Sequence, residues 1–169
     1  MGMWNWLGRK AFKLSGWKIV GAIPEDVRKC VIAVAPHTCI ADFIIGRLAY
    51  CYIDRNVRFL IKKEFFENPI LKPLLLKLGG IPVDRSRRNN IVTQVATMFS
   101  KYDDLCITIT PEGTRKLVHN WKKGFYYIAL KANVPIVMGF LDFKKKELGF
   151  GPMFYPSGDY EEDWKQMEA

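Results

Sequence analysis

What most limits the fold of this 169-residue chain is a repeated alternation of short, wholly apolar runs with longer segments of helical period. Cys30 to Ala35 reads as a buried strand, Cys39 to Tyr52 as a helix and Val57 to Ile61 as a second strand. Pro69 to Leu78 reads as a helix preceded by a shorter one, Ile81 to Val83 as a short strand and Asn89 to Lys101 as a helix. Leu105 to Ile109 reads as strand, Phe125 to Ala132 as helix and Pro135 to Phe140 as strand. Strands apolar along their whole length bury both faces, as strands of a parallel sheet do. The pattern predicts an α/β fold with a largely parallel or mixed central sheet covered by helices. Leu141 to Phe150, with Lys144, Lys145 and Lys146 at its centre, predicts an antiparallel hairpin with a solvated tip.

Ahead of this alternation, Met3 to Lys18 has helical period. Trp4, Leu7, Ala11, Phe12 and Leu14 fall on one arc and Arg9, Lys10 and Lys13 on the opposite one. Trp6 and Trp17 border the charged arc, where an indole can sit among lipid headgroups. The segment suits docking on a membrane surface, with packing against the domain as the alternative. Residues 1–18 are therefore expected to be an amphipathic membrane-docking helix and 19–169 a single domain. Lys and Arg number 26 against 17 Asp and Glu, a net charge of +9 that favours an anionic partner. Charge is all that supports nucleic acid, since no motif of a nucleic-acid reader is present. Cys30, Cys39, Cys51 and Cys106 show no metal-ligand spacing, which favours a reducing compartment and no metal site. No uncharged apolar run reaches the roughly 18 residues of a spanning helix, and the start of the chain does not read as a secretory signal.

Three segments fall where open α/β sheets hold ligands, at the carboxyl ends of strands. The first holds His37, one of only two histidines, and Asp42. Five positions along a regular helix are about 140° apart, so the two side chains meet only if His37 precedes the helix. Asp42 in the first turns then accepts one imidazole N–H and leaves the other nitrogen free to take a proton. A capping histidine with a solvated aspartate has the same spacing. The second segment is Pro111-Glu112-Gly113-Thr114-Arg115, in which Gly113 permits close backbone approach, Thr114 adds a hydroxyl and Arg115 a planar fork for phosphate oxygens. The same letters also suit an ordinary loop. The third runs from Gly79 to Arg85, with Arg87 and Arg88 behind it, and Lys62 and Lys63 add charge at another strand end. His119, in a charged stretch, reads as a surface residue.

Taken in order, these segments resemble the glycerolipid acyltransferase family, the lysophosphatidic acid acyltransferases and their relatives. The likeness rests on His37-Thr38-Cys39-Ile40-Ala41-Asp42, on Gly79 through Arg85, on Glu112 to Arg115 and on Val134 to Val137. Lys62-Lys63-Glu64 adds a lysine segment ahead of the second motif. Lys116 and Met138 depart from the family's usual serine and proline, which bears on the acceptor. The resemblance implies a glycerol-3-phosphate acyltransferase-like fold and an O-acyltransferase that moves a fatty acyl group from acyl-CoA or acyl carrier protein to a lysophospholipid. The family's commonest acceptor is 1-acyl-sn-glycerol-3-phosphate, giving phosphatidic acid; another lysolipid or a lipidated amino acid is the alternative. His37 would be the general base and Asp42 its support, while Lys62, Arg85 and Arg115 would hold the acceptor's phosphate with Glu112, Gly113 and Thr114 shaping that clamp. No cofactor or metal is implied. The lipid substrate implies peripheral attachment to an anionic membrane surface, on the cytoplasmic face. Rival readings are a Cys39 nucleophile and a lipid-binding module without catalysis.

Overall fold

The computed structural model describes residues 3–84, 88–116, 118 and 120–168. Helix α1 (Met3–Leu14) leads into β1 (Lys18–Val20) and β2 (Lys29–Val34), followed by α2 (Ile40–Ile53) and β3 (Val57–Lys62). A 3-10 turn (Lys63–Phe66) and α3 (Leu71–Lys77) precede β4 (Gly80–Val83), α4 (Arg88–Ala96) and β5 (Leu105–Ile109). Then come α5 (Gly124–Ala132), β6 (Ile136–Asp142), β7 (Glu147–Phe154) and α6 (Tyr160–Glu168). The strands form one seven-stranded sheet in the order β1-β7-β6-β2-β5-β3-β4. From β6 to β4 every pairing is parallel, while β7 runs antiparallel to β6 and carries β1 parallel to itself. The mixed sheet and the hairpin are as the sequence predicts.

The alternation of side chains along β2 divides the core in two. Val31 and Ala33 join Val95 of α4 and Phe125, Tyr126 and Ala129 of α5, whereas Cys30, Ile32 and Val34 join Phe12 of α1 and Ala49 and Tyr50 of α2. Val31 and Ile32 are wholly buried, each contributing about 1.5–3 kcal/mol by leaving water. Gly80 shows that α3 covers the second face: a Cβ there would meet Ile61, the Leu75 carbonyl and Phe66. Ile61 shares a face of β3 with Phe59, which packs on Phe43 and Tyr50 of α2.

Three elements differ from expectation. The first helix ends at Leu14, and the chain after it pairs with β7 as a strand, Lys18 opposite Glu147. Trp17 consequently lies in the core, edge-on to Phe143 at 5.0 Å, and not among headgroups. The apolar arc of α1 also splits: Phe12 is buried, while Leu7 and Leu14 face solvent with Trp6. Close approach to α2 decides which side is covered, since a Cβ on Gly8 would lie 2.8 Å from Cys51 Cβ and Arg9 Nε donates to the Cys51 carbonyl at 3.0 Å. Finally, α6 is an element the sequence reading does not include; it packs Tyr160, Trp164 and Met167 against the core and buries the Asp163 carboxylate.

Candidate active site

Crossovers set the site's position. After β2 the chain crosses to one sheet face through α2, and after the adjacent β5 it crosses to the other through α5. Loops that diverge in this way leave a crevice at the carboxyl ends of the two strands. The β2 loop carries His37 and the β5 loop Glu112 to Arg115. With strands about 4.8 Å apart, residues 75 positions apart in sequence become neighbours.

The imidazole precedes α2, and Asp42 in the helix's first turn reaches back to it. Asp42 Oδ2 lies 2.9 Å from His37 Nδ1 and accepts the backbone N–H groups of Thr38 at 2.6 Å and Cys39 at 3.0 Å. Its Oδ1 takes the Cys39 thiol at 3.4 Å. Burial alone would raise the Asp42 pKa, but the Cys39 and Thr38 hydrogen bonds and the nearby imidazole prevail and lower it. An ionised carboxylate accepts only, so Nδ1 carries the proton and Nε2 the lone pair. Nε2 has no partner among the described residues, and the ring is 21% exposed. Cys39 spends its thiol on Asp42 and makes no hydrogen bond to the imidazole, so the base-activated thiol that a nucleophile needs is not assembled.

Glu112 is buried, and its Oε2 accepts the His37 backbone N–H at 2.7 Å. It ties the β5 loop to the histidine, a contact between a side chain and a distant backbone that no motif spacing announces. Gly113 has φ +63° and lies beneath Lys122, whose Cε would be 2.8 Å from a Cβ there. The Lys122 N–H bonds the Pro111 carbonyl at 2.8 Å, placing its ammonium over the motif. Sequence reading missed this cation, and a lysine two residues ahead of α5 is a faint signal. The Thr114 hydroxyl accepts the Lys116 N–H at 3.2 Å, and Arg115 is exposed with no ion pair among the described residues. Lys62 ends β3, one strand beyond β5, and is exposed with no ion pair among the described residues. Lys63 instead pairs with Asp84 at 2.6 Å. Arg85, Arg87 and His119 lie outside the described residues.

A family model described as Acyltransferase matches residues 19–138, a span holding the imidazole, its carboxylate and the β5 loop. This chain belongs to the Acyltransferase family. Human 1-acyl-sn-glycerol-3-phosphate acyltransferase beta is 32% identical over 119 residues, covering 67% of this chain and 41% of that protein. The chain thus spans about two-fifths of that relative's length. The crystal structure of the 1-acyl-sn-glycerophosphate (LPA) acyltransferase PlsC from Thermotoga maritima superposes with TM-score 0.68 at 20% identity, over 97% of this chain and 73% of that one. At that identity the likeness is one of fold. As in the acyltransferase span, so in the structure: the elements from β2 through β6 carry every described site residue, and Met138, the departure in the last motif, pairs with Ala33 beside them.

Proposed function

We propose that the protein is an O-acyltransferase that moves a fatty acyl group from acyl-CoA or acyl carrier protein to a lysophospholipid, most directly 1-acyl-sn-glycerol-3-phosphate, giving phosphatidic acid. The observation that carries this reading is the free His37 Nε2 set opposite a 2.9 Å contact to Asp42 and beside the Glu112–Arg115 loop. The likeness to the two named acyltransferases supports the choice of acceptor. Nε2 takes the proton of the acceptor hydroxyl as its oxygen bonds the thioester carbonyl; collapse of the tetrahedral adduct breaks the C–S bond, and the imidazolium returns the proton to the leaving thiolate. General base catalysis of this kind contributes about 10²–10⁴-fold. Asp42 holds the ring and stabilises the imidazolium, Glu112 fixes the backbone beneath it, and Arg115, Lys62 and Lys122 orient an acceptor phosphate. The chemistry calls for no cofactor.

Attachment to an anionic membrane surface, on its cytoplasmic face, belongs to the same proposal. No helix among the described residues is long and apolar enough to cross a membrane. On one sheet face, however, α1 exposes Trp6, Leu7 and Leu14, α2 exposes Ile40 and Ile44, and α3 exposes Leu74 and Leu76 beside Ile70. Apolar side chains spread over three neighbouring helices suit the headgroup boundary, where a lysolipid can enter. The test is to assay the purified chain against a panel of lysolipid acceptors with both donor types. Acylation of 1-acyl-sn-glycerol-3-phosphate far above a His37→Ala control supports the reading; no acceptor rising above that control defeats it.

A further inference from the structure

The two oxygens of the Asp42 carboxylate are loaded unevenly. Oδ2 faces three groups, the N–H of Thr38, the N–H of Cys39 and the His37 ring at Nδ1. Oδ1 has a single donor among the described residues, the Cys39 thiol at 3.4 Å. Cys39 is the residue just before α2 and Asp42 lies in its first turn, so the start of the helix sets sulfur and carboxylate side by side. An ionised carboxylate accepts only, so in this contact the thiol donates. The Asp42 side chain is 5% exposed, which leaves water little access to replace a missing donor.

The consequence lies in the torsion about the Cβ–Cγ bond of Asp42. That bond joins an sp³ to an sp² carbon, and its wells are broad. A carboxylate gripped through one oxygen alone swings about it, and a buried second oxygen without a donor drives the swing by drawing on the donors of the first. Oδ2 then leaves Nδ1, and the ring is released to the tautomer with its proton on Nε2, where no base remains. We propose that Cys39 is a positioning residue for acyl transfer: by donating to Oδ1, its thiol locks the carboxylate with Oδ2 on Nδ1 and so keeps the proton-accepting lone pair on Nε2. The sulfur forms no bond to the acyl group. A hydroxyl at this position supplies the same donor, and a methyl group supplies none. The expected effect on rate rests on the acyl-transfer reading; the effect on the ring tautomer does not.

The test compares the full chain with Cys39→Ala and Cys39→Ser, by steady-state transfer to 1-acyl-sn-glycerol-3-phosphate with both donor types and by nitrogen NMR of the His37 ring at alkaline pH, its resonances assigned through His37→Gln. Cys39→Ala is expected to lose about tenfold in kcat, with KM for the acceptor unchanged, and to show both ring tautomers where the parent shows the proton on Nδ1. Cys39→Ser should restore the rate and the single tautomer. Either a parent-like kcat or a parent-like tautomer in Cys39→Ala would overturn the proposal. So would a serine variant as slow as the alanine one, which is the outcome expected of a sulfur nucleophile. The NMR arm needs neither donor nor acceptor: if the parent transfers no acyl group, the acyl-transfer reading falls while the tautomers still decide whether Cys39 holds the ring. Should Cys39→Ala fail to fold, Cys39→Gly, tolerated just ahead of a helix, removes the same donor and is read in the same way.

Discussion

Asp42 and Asp163 solve the same physical problem at two places and come to different ends. Both are buried, both collect several donors, and both have pKa values that burial pushes up and hydrogen bonds bring down below the usual range. Asp163 accepts the Tyr126 hydroxyl at 2.6 Å and the Ser157 N–H and hydroxyl at 2.7 and 2.9 Å. Tyr126 OH in turn accepts the Gly158 N–H at 2.9 Å, so the network closes on itself and pins α6 to α5. The Asp42 network ends differently, on an imidazole whose far nitrogen has no partner among the described residues and whose ring reaches the crevice between β2 and β5. A saturated carboxylate is therefore no mark of a site. The unspent group that it positions is.

The comparison breaks most sharply at Asp42. Asp42→Asn keeps an acceptor for the Thr38 and Cys39 N–H groups but loses the charge that fixes the imidazole tautomer and stabilises the imidazolium. Acyl transfer is expected to fall about 10²–10⁴-fold in steady-state kinetics, with a melting temperature close to that of the parent. A variant as active as the parent would put Asp42 in the same class as Asp163. Asp163→Ala should do the reverse, leaving three donors unpaired. A loss of about 2–3 kcal/mol, or roughly 5–10 °C in calorimetric Tm, is expected, with kcat per folded molecule unchanged. Smaller still is Lys122→Ala, for which KM for a phosphate-bearing acceptor should rise about tenfold while KM for an uncharged monoacylglycerol stays put. Least in size is the acid limb of stability. A carboxylate with a lowered folded pKa stabilises fully above its unfolded value, near pH 4, and that contribution drains away as pH falls through the folded value. Acid titration of Asp163→Asn should lose this part of the slope, and a slope identical to the parent's would remove Asp163 from the account.

Legibility in the sequence followed contact distance. His37 and Asp42 are five residues apart, so helix geometry alone limits how they meet, and the strands from β2 to β6 announce themselves because they are apolar on both faces. The contact of Glu112 with the His37 N–H is not legible, because it spans 75 residues and ends on backbone, which carries no residue identity. Lys122 escaped because its place depends on the positive φ of Gly113. Trp17 borders the charged arc only of a helix that runs on to Lys18; the strand that begins at Lys18 turns its ring into the core. The short α6 is held by Tyr160 and Trp164 in the core and by the Asp163 hydrogen bonds, and only the first of these registers in a hydrophobic period.

The account's central claim, that the free nitrogen of His37 removes the acceptor's proton, is tested most directly by the rate of acyl transfer to 1-acyl-sn-glycerol-3-phosphate in His37→Gln beside the parent, both melting at the same temperature. A fall of about 10²–10⁴-fold is the expected result. A rate within threefold of the parent would contradict it.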